Sequence, residues 1–234
     1  MSIISSLNAR MDLDNRREII GMFEKYNDSR KICDIGPGSS PLADDYPGEN
    51  KLYGIEYPGY SEKTIGVLDK IGKNITIKEC DLDQQRWPFD DNYFDIVISN
   101  QVLEHMVDTD HFIQEFYRIM KVGGYGFIST PNLSSLCNIL QLIFTFQPVI
   151  CAASDKFNGI GNPLASHRGQ IITDRTHNHL RVFSLRALEE LLKINGFKIE
   201  KKRGGAFLGI PAIDRFIARV LPWYGYFCTI KIRK

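Results

Sequence analysis

Short apolar runs and amphipathic stretches alternate along most of the chain. Residues 31–35 read as a strand closed by Gly36-Pro37-Gly38, residues 51–55 as a second strand and 75–79 as a third. The β-branched run at 94–99 predicts a fourth, buried strand. Residues 109–121 carry Phe112, Ile113, Phe116, Ile119 and Met120 at helical spacing, and Gly123-Gly124 is read as the stop. A fifth strand is predicted at 125–130. Ser184 reads as the cap of a helix reaching about Asn195, with Leu185, Leu188, Leu191 and Leu192 on one face and Gly196 after it. Residues 197–202 and 226–232 read as two final strands, and the first thirty residues as a helical segment with a break near Asn27-Asp28-Ser29. Strands alternating with helices predict an α/β fold, a mostly parallel sheet covered on both faces.

Two segments fall outside this alternation, residues 132–180 and 206–225. Insertions of that length in a compact domain usually serve as substrate walls, lids or partner surfaces. Both are rich in apolar residues: 133–150 in one, and Ile210, Ile213, Phe216, Ile217, Val220 and Leu221 near helical spacing in the other. Core packing, a homodimer contact, an apolar acceptor pocket and a peripheral membrane contact all fit that pattern. The basic residues Lys198, Lys201, Lys202, Arg203, Lys231, Arg233 and Lys234 suit an anionic surface and equally the protection of an edge strand.

Composition narrows the class. A chain of 234 residues suits one α/β domain, 1–234, rather than two. Its 29 basic and 28 acidic residues leave a formal charge of +1, without the basic excess of a dedicated nucleic-acid binder. Cys33, Cys80, Cys137, Cys151 and Cys228 show no C-x-x-C spacing, so reduced thiols are expected rather than a zinc site or a disulfide framework. Residues 1–10 carry no basic region followed by an apolar core, and the apolar run at 136–150 is too short to cross a bilayer. A cytoplasmic location is expected.

The chemistry begins after the first strand, at Asp34-Ile35-Gly36-Pro37-Gly38-Ser39-Ser40. Glycines there let the chain turn sharply and let a ligand approach the backbone, and a following helix would offer free N–H groups. Glu56 stands at the end of the second strand, about where an acid accepts ribose hydroxyls in nucleoside-binding sheets. A dinucleotide loop wants a third glycine three positions after the second, and Pro41 stands there. The third strand ends in the acidic run Glu79-Cys80-Asp81-Leu82-Asp83.

Asp34-x-Gly-x-Gly, Glu56, Asp81-Leu82, Pro88-Phe89 through Phe94-Asp95-Ile96-Val97, and Val102-Leu103-Glu104-His105 together resemble the class I S-adenosylmethionine-dependent methyltransferases. They most resemble the group of ubiquinone and menaquinone biosynthesis. Ile119-Met120-Lys121-Val122-Gly123-Gly124 and His179-Leu180-Arg181-Val182-Phe183-Ser184 extend the likeness. It covers 31 to about 202, excluding the insertion. The resemblance implies a Rossmann-like seven-stranded, mostly parallel sheet with helices on both faces and an antiparallel C-terminal hairpin. It implies methyl transfer from S-adenosyl-L-methionine, releasing S-adenosyl-L-homocysteine. Gly36 and Gly38 would face the methionine part, with Asp34 near its amino group, Glu56 would hold the ribose, and Asp81 and Leu82 the adenine; Pro37 and Tyr57 would also line the cofactor. Asn100 and Gln101 would lie beside the sulfonium and the acceptor. Ser40 replaces a glycine common in the family, which implies a slightly tighter pocket. The rival readings are an NAD(P)-dependent oxidoreductase and a non-catalytic S-adenosylmethionine-binding protein.

Methyl transfer is an in-line displacement on an activated carbon, so the protein mainly positions the acceptor and excludes water. A base helps only some acceptors. Its candidates are His105, His167 and His177; Asp95 reads as structural. His177 and His179 would share a face of an extended segment, but no third ligand is evident and no metal is expected. Arg168, Arg175 or Arg181 would recognise an anionic or polyhydroxyl acceptor. Ser99-Asn100-Gln101-Val102 lacks the Asn-Pro-Pro-Tyr pattern of many amino-group methylases, which favours a small molecule, lipid or sugar.

Overall fold

The computed structural model describes residues 3–38, 42, 49–70, 75–165, 167–172, 179–205 and 220–234. Its helices are α1 (Ile3–Ile20), α2 (Ser61–Lys70), α3 (Thr109–Ile119), α4 (Leu136–Ile143) and α5 (Leu185–Ile194). Its strands are β1 (Lys31–Ile35), β2 (Lys51–Glu56), β3 (Ile75–Glu79), β4 (Phe94–Asn100), β5 (Met120–Pro131), β6 (Lys198–Gly205) and β7 (Phe227–Arg233). They form one seven-stranded sheet in the order β3-β2-β1-β4-β5-β7-β6. The first five strands in that order are parallel, while β7 runs antiparallel to both β5 and β6. The chain leaves β1 toward β2 and β3 on one side and returns to β4 and β5 on the other. Ligands of open α/β sheets bind at such a reversal, beyond the carboxyl ends of the strands.

Period-two alternation divides the core between the two faces of the sheet. On one face Cys33, Ile35, Val97, Ile128 and Ile230 pack with Phe112 and Phe116 of α3 and Leu185, Leu188 and Leu192 of α5. On the other, Ile32, Ile96, Ile98, Tyr125 and Phe127 pack with Ile19 and Met22 from α1 and the turn after it. Each such side chain removed from water contributes about 1.5–3 kcal/mol. Helix ends follow their caps: Asp108 accepts from the His111 N–H at 2.9 Å, Ser135 from Asn138, and Ser184 from Ala187. Gly196 follows α5 at φ 89°. Among the described residues no helix is long and apolar enough to cross a membrane.

The elements differ from the sequence expectations in three places. Helix α3 stops at Ile119, and Met120 is already extended and paired with Phe94. Ile119 and Met120 are both fully buried, so either conformation satisfies the apolar pattern. Pairing then shifts between Phe94 and Ile96, with Gly123 at φ 80°. The glycine pair therefore bends a strand rather than separating it from a helix. Helices α2 and α4 were not foreseen. The helix expected after Gly38 lies mostly outside the described residues, as does the greater part of the second insertion, residues 206–219.

Candidate functional site

Gly36 and Gly38 both adopt left-handed backbone, at φ 62° and 53°. Gly36 donates to the Ile55 carbonyl at 2.8 Å, and a Cβ at Gly36 would meet Val102 Cγ2 at 2.8 Å. The turn thus leaves no room for a side chain at Gly36, because Val102 fills that face. Pro37 is buried between the two glycines. Asp34, 2% exposed, accepts from the Leu42 N–H at 3.1 Å and fixes the far end of the loop.

Glu56 is buried at the tip of β2. Its Oε2 accepts from the Gly38 N–H and the Thr64 hydroxyl, each at 2.9 Å, and its Oε1 accepts from the Tyr57 N–H at 3.0 Å. Three of its roughly four acceptor positions are engaged by the protein. Thr64 also donates toward the Gly38 carbonyl at 3.1 Å, so α2 steadies the same bend. Tyr57 itself is exposed, with its ring edge-on to Tyr60.

The acidic loop after β3 is ordered by its own carboxylates. Asp81 accepts from the Asp83 N–H at 3.0 Å, and Asp83 accepts from the Val107 and Asp108 N–H groups at 2.8 and 2.9 Å. Leu82 is buried, and its carbonyl accepts from the Trp87 indole N–H at 3.4 Å. Asp95 sits at the opposite end of β4, where it accepts from the Lys31 N–H and pairs with Lys121; it is structural, as expected.

At the carboxyl end of β4, Gln101 holds φ 60° while donating its N–H to the Ser129 carbonyl at 2.9 Å. Left-handed backbone on a non-glycine residue costs about 1–3 kcal/mol and gathers at functional sites. Asn100 beside it accepts at Oδ1 from Asn15 Nδ2 at 2.9 Å. A short 3-10 turn, Leu103–His105, follows. Glu104 in it is 1% exposed, accepts from the Thr130 hydroxyl at 3.0 Å on one oxygen, and has its other oxygen buried without a partner among the described residues. Burial pushes its carboxyl up to about 8, against the lowering effect of its backbone bond and of Thr130.

The first insertion is tied at both ends. The Leu133 N–H donates to the Phe183 carbonyl at 2.8 Å, and Asn132, fully buried, bonds the Trp223 and Gly225 carbonyls. Its far end returns to the site: the Leu180 and Arg181 N–H groups bond the Glu104 carbonyl at 2.8 and 3.0 Å. His179, steadied by the Ile150 carbonyl at 3.0 Å, places its ring 5.3 Å from that of His105. Ligand atoms of Glu104, His105 and His179 lie within 4.8 Å of one another, a spacing at which the three could hold a cation. The partners that the sequence did not reveal for His179 therefore come from the turn after β4. Nothing in spacing could have paired residues so far apart in the chain. Asn15 was missed for the same reason, whereas Thr64, eight residues after Glu56, was missed because helix α2 was not foreseen.

Of the other expected bases, His167 is exposed and bonds Gln170 within its own loop. His177 lies outside the described residues, as does Arg175. Arg168 is exposed, and Arg181 donates to the Val107 carbonyl at 2.9 Å. The described cysteines are all reduced, with Cys33, Cys80 and Cys228 buried.

Comparison with known proteins fits this geometry. A family model described as a methyltransferase domain matches residues 7–202. The chain is 28% identical over 188 residues to the mitochondrial ubiquinone biosynthesis O-methyltransferase of Rattus norvegicus, covering 74% of this chain and 46% of that protein. It is 25% identical over 201 residues to the demethylmenaquinone methyltransferase of Chlorobaculum tepidum, covering 84% and 72%. It spans about half the length of the first curated relatives it matches. The fold superposes with TM-score 0.61 on phosphoethanolamine N-methyltransferase 2 of Haemonchus contortus, solved with S-adenosyl-L-methionine. That match has 18% identity and covers 94% of this chain and 52% of that one. The chain belongs to the methyltransferase-domain family, among the class I S-adenosylmethionine-dependent proteins.

Proposed function

We propose that the chain transfers the methyl group of S-adenosylmethionine to an oxygen of a small, largely apolar acceptor. The carrying observation is the Glu56 carboxylate, bonded to the left-handed Gly38 and buried beside a bend that admits no side chain at Gly36. That arrangement suits a nucleoside with an aminoacyl tail. Gly36, Pro37, Gly38 and Asp34 would hold the tail, Glu56 and Tyr57 the ribose, and Asp81 and Leu82 the adenine. When bound, the cofactor supplies an activated methyl carbon. Methyl transfer to the acceptor oxygen would leave S-adenosylhomocysteine as the second product. The proton of an acceptor hydroxyl passes to His105, which His179 and Glu104 adjoin. Asn100 and Gln101 orient the reacting groups.

Two relatives are named for ubiquinone and menaquinone compounds, which supports a quinone-type acceptor. The exposed Leu140, Leu142, Ile143, Phe144 and Val149 suit an apolar acceptor delivered to the insertion. No charged residue occurs from 123 to 154, so the same face also suits rest on a membrane surface. Flotation with anionic vesicles tests that second reading, and absence of bound protein removes it. Calorimetric titration with S-adenosylmethionine, S-adenosylhomocysteine and NAD tests the first. Heat is expected with the first two, and none with either would end the proposal.

A further inference from the structure

Helix α1 reaches the site through one side chain. Asn15 lies one helical turn before Ile19, so the two share a face. Ile19 packs on the middle of the sheet, and Asn15 stands over the carboxyl ends of β4 and β5, 2% exposed. Along β4 the positions facing α1 are Ile96, Ile98 and Asn100; along β5 they are Tyr125, Phe127 and Ser129, with Thr229 of β7 paired to Ser129. Each series is apolar until its last member, which is polar and bonds Asn15.

The bonds divide into two groups. Asn15 Oδ1 accepts from the Thr229 and Ser129 hydroxyls at 3.0 and 3.2 Å. Asn15 Nδ2 donates to Ser129 Oγ and Asn100 Oδ1, both at 2.9 Å. Ser129 and Thr229 also bond each other at 2.9 Å, and Gln101 Nε2 reaches Ser129 at 3.3 Å. The two hydroxyls would therefore keep partners without Asn15. Asn100 would not. An amide is planar, so anchoring its oxygen to Asn15 turns its nitrogen the other way, and among the described residues that nitrogen has no protein partner. Asn100 is half-buried, at the sheet edge where ligands of this fold bind.

We infer that Asn15 is a positioning residue. By holding the Asn100 oxygen it presents the Asn100 amide N–H group to the cofactor and so makes α1 a working wall of the site. This rests on the proposed placement of Asn100 beside the cofactor.

The test is a double-mutant cycle read by calorimetry with S-adenosylhomocysteine. Asn15→Asp has the same shape and keeps the acceptor for Thr229 and Ser129, but removes the donor to Asn100. Asn100 must then turn its amide over. Loss of one hydrogen bond to the ligand corresponds to about a tenfold weaker Kd, expected for Asn15→Asp and for Asn100→Ala alike. The double variant should bind no more weakly than Asn100→Ala alone. Protonating the new carboxyl restores the donor, so binding by Asn15→Asp should recover at low pH while wild-type binding does not rise. If Asn15→Asp fails to fold, Asn15→Ala enters the same cycle. Losses that multiply, or wild-type affinity in either Asn15 variant, would overturn the inference. Absence of binding by the wild-type protein would instead overturn the reading of the site itself, and this inference with it.

Discussion

The Glu56 carboxylate and the Gly38 N–H are bonded at 2.9 Å, so the residue expected to grip the ribose also holds the loop that shapes the pocket. With Thr64 and Tyr57 bonded as well, about one acceptor position remains. Accepting both ribose hydroxyls requires one protein bond to be released.

Glu56→Gln keeps the shape but replaces one acceptor oxygen with a donor group and removes the charge. S-adenosylhomocysteine affinity should fall about tenfold to a hundredfold, as for a lost charge-assisted bond. Thr64→Val, which removes only a support, should cost about threefold, less than one neutral bond. Calorimetry on both variants checks the order; a larger loss from Thr64→Val would contradict it.

Gln101 holds its φ of 60° at a cost that glycine would not bear. Gln101→Gly should raise the melting temperature by a few degrees, about 1 kcal/mol for a chain of this size, while weakening cofactor binding. A thermal melt and a titration on the same sample read both effects. An unchanged or lower melting temperature would show that the position is not strained.

Glu104 gives stability a slope with pH. Burial raises its folded value from 4.5 to about 8, so the neutral form is favoured in the folded protein. Its contribution is complete below about 4.5 and is lost as pH rises toward and through 8. Thr130, Cys228, His105 and His179 are the polar and titratable groups around it. Glu104→Gln should flatten that slope, so that its melting temperature exceeds the wild type's at pH 9 more than at pH 5. Parallel melting curves across that range would refute this.

Glu24 acts in the opposite sense. Burial raises its carboxyl, but hydrogen bonds from Lys231 and Tyr26 and the charges of Lys231 and Arg233 outweigh it and hold it at about 2. Its stabilisation is present above 4.5 and lost as pH falls toward 2. Lys231 is only 8% exposed and also pairs with Glu200. Because Glu24 is about a third exposed, solvent screens the pair, and Glu24→Gln should cost only about 1 kcal/mol at pH 7. Denaturant melts at pH 7 and pH 3 should show the difference shrinking at the lower pH.

The sheet was legible because its strands are short apolar runs bounded by turn residues, and six of the seven begin within a residue of the expected place. The exception is β5, whose start hides inside a helical pattern because Ile119 and Met120 are buried either way. The cofactor side was legible because Gly36, Gly38 and Glu56 lie close in sequence and act through local geometry. The acceptor side was not. Glu104 and His179 meet only because the ends of the insertion are tied, and Asn15 reaches Asn100 across 85 positions. Contacts of that range leave no periodicity to read.

The bond from Leu133 to Phe183 has one further consequence. A segment whose two feet stand together can grow or shrink without disturbing the strands on either side, since doubling a flexible loop adds only about 0.6 kcal/mol. Descendants of this chain could thus exchange the whole excursion for another while keeping the glycine bend intact, and new chemistry could be tried on an old scaffold one loop at a time.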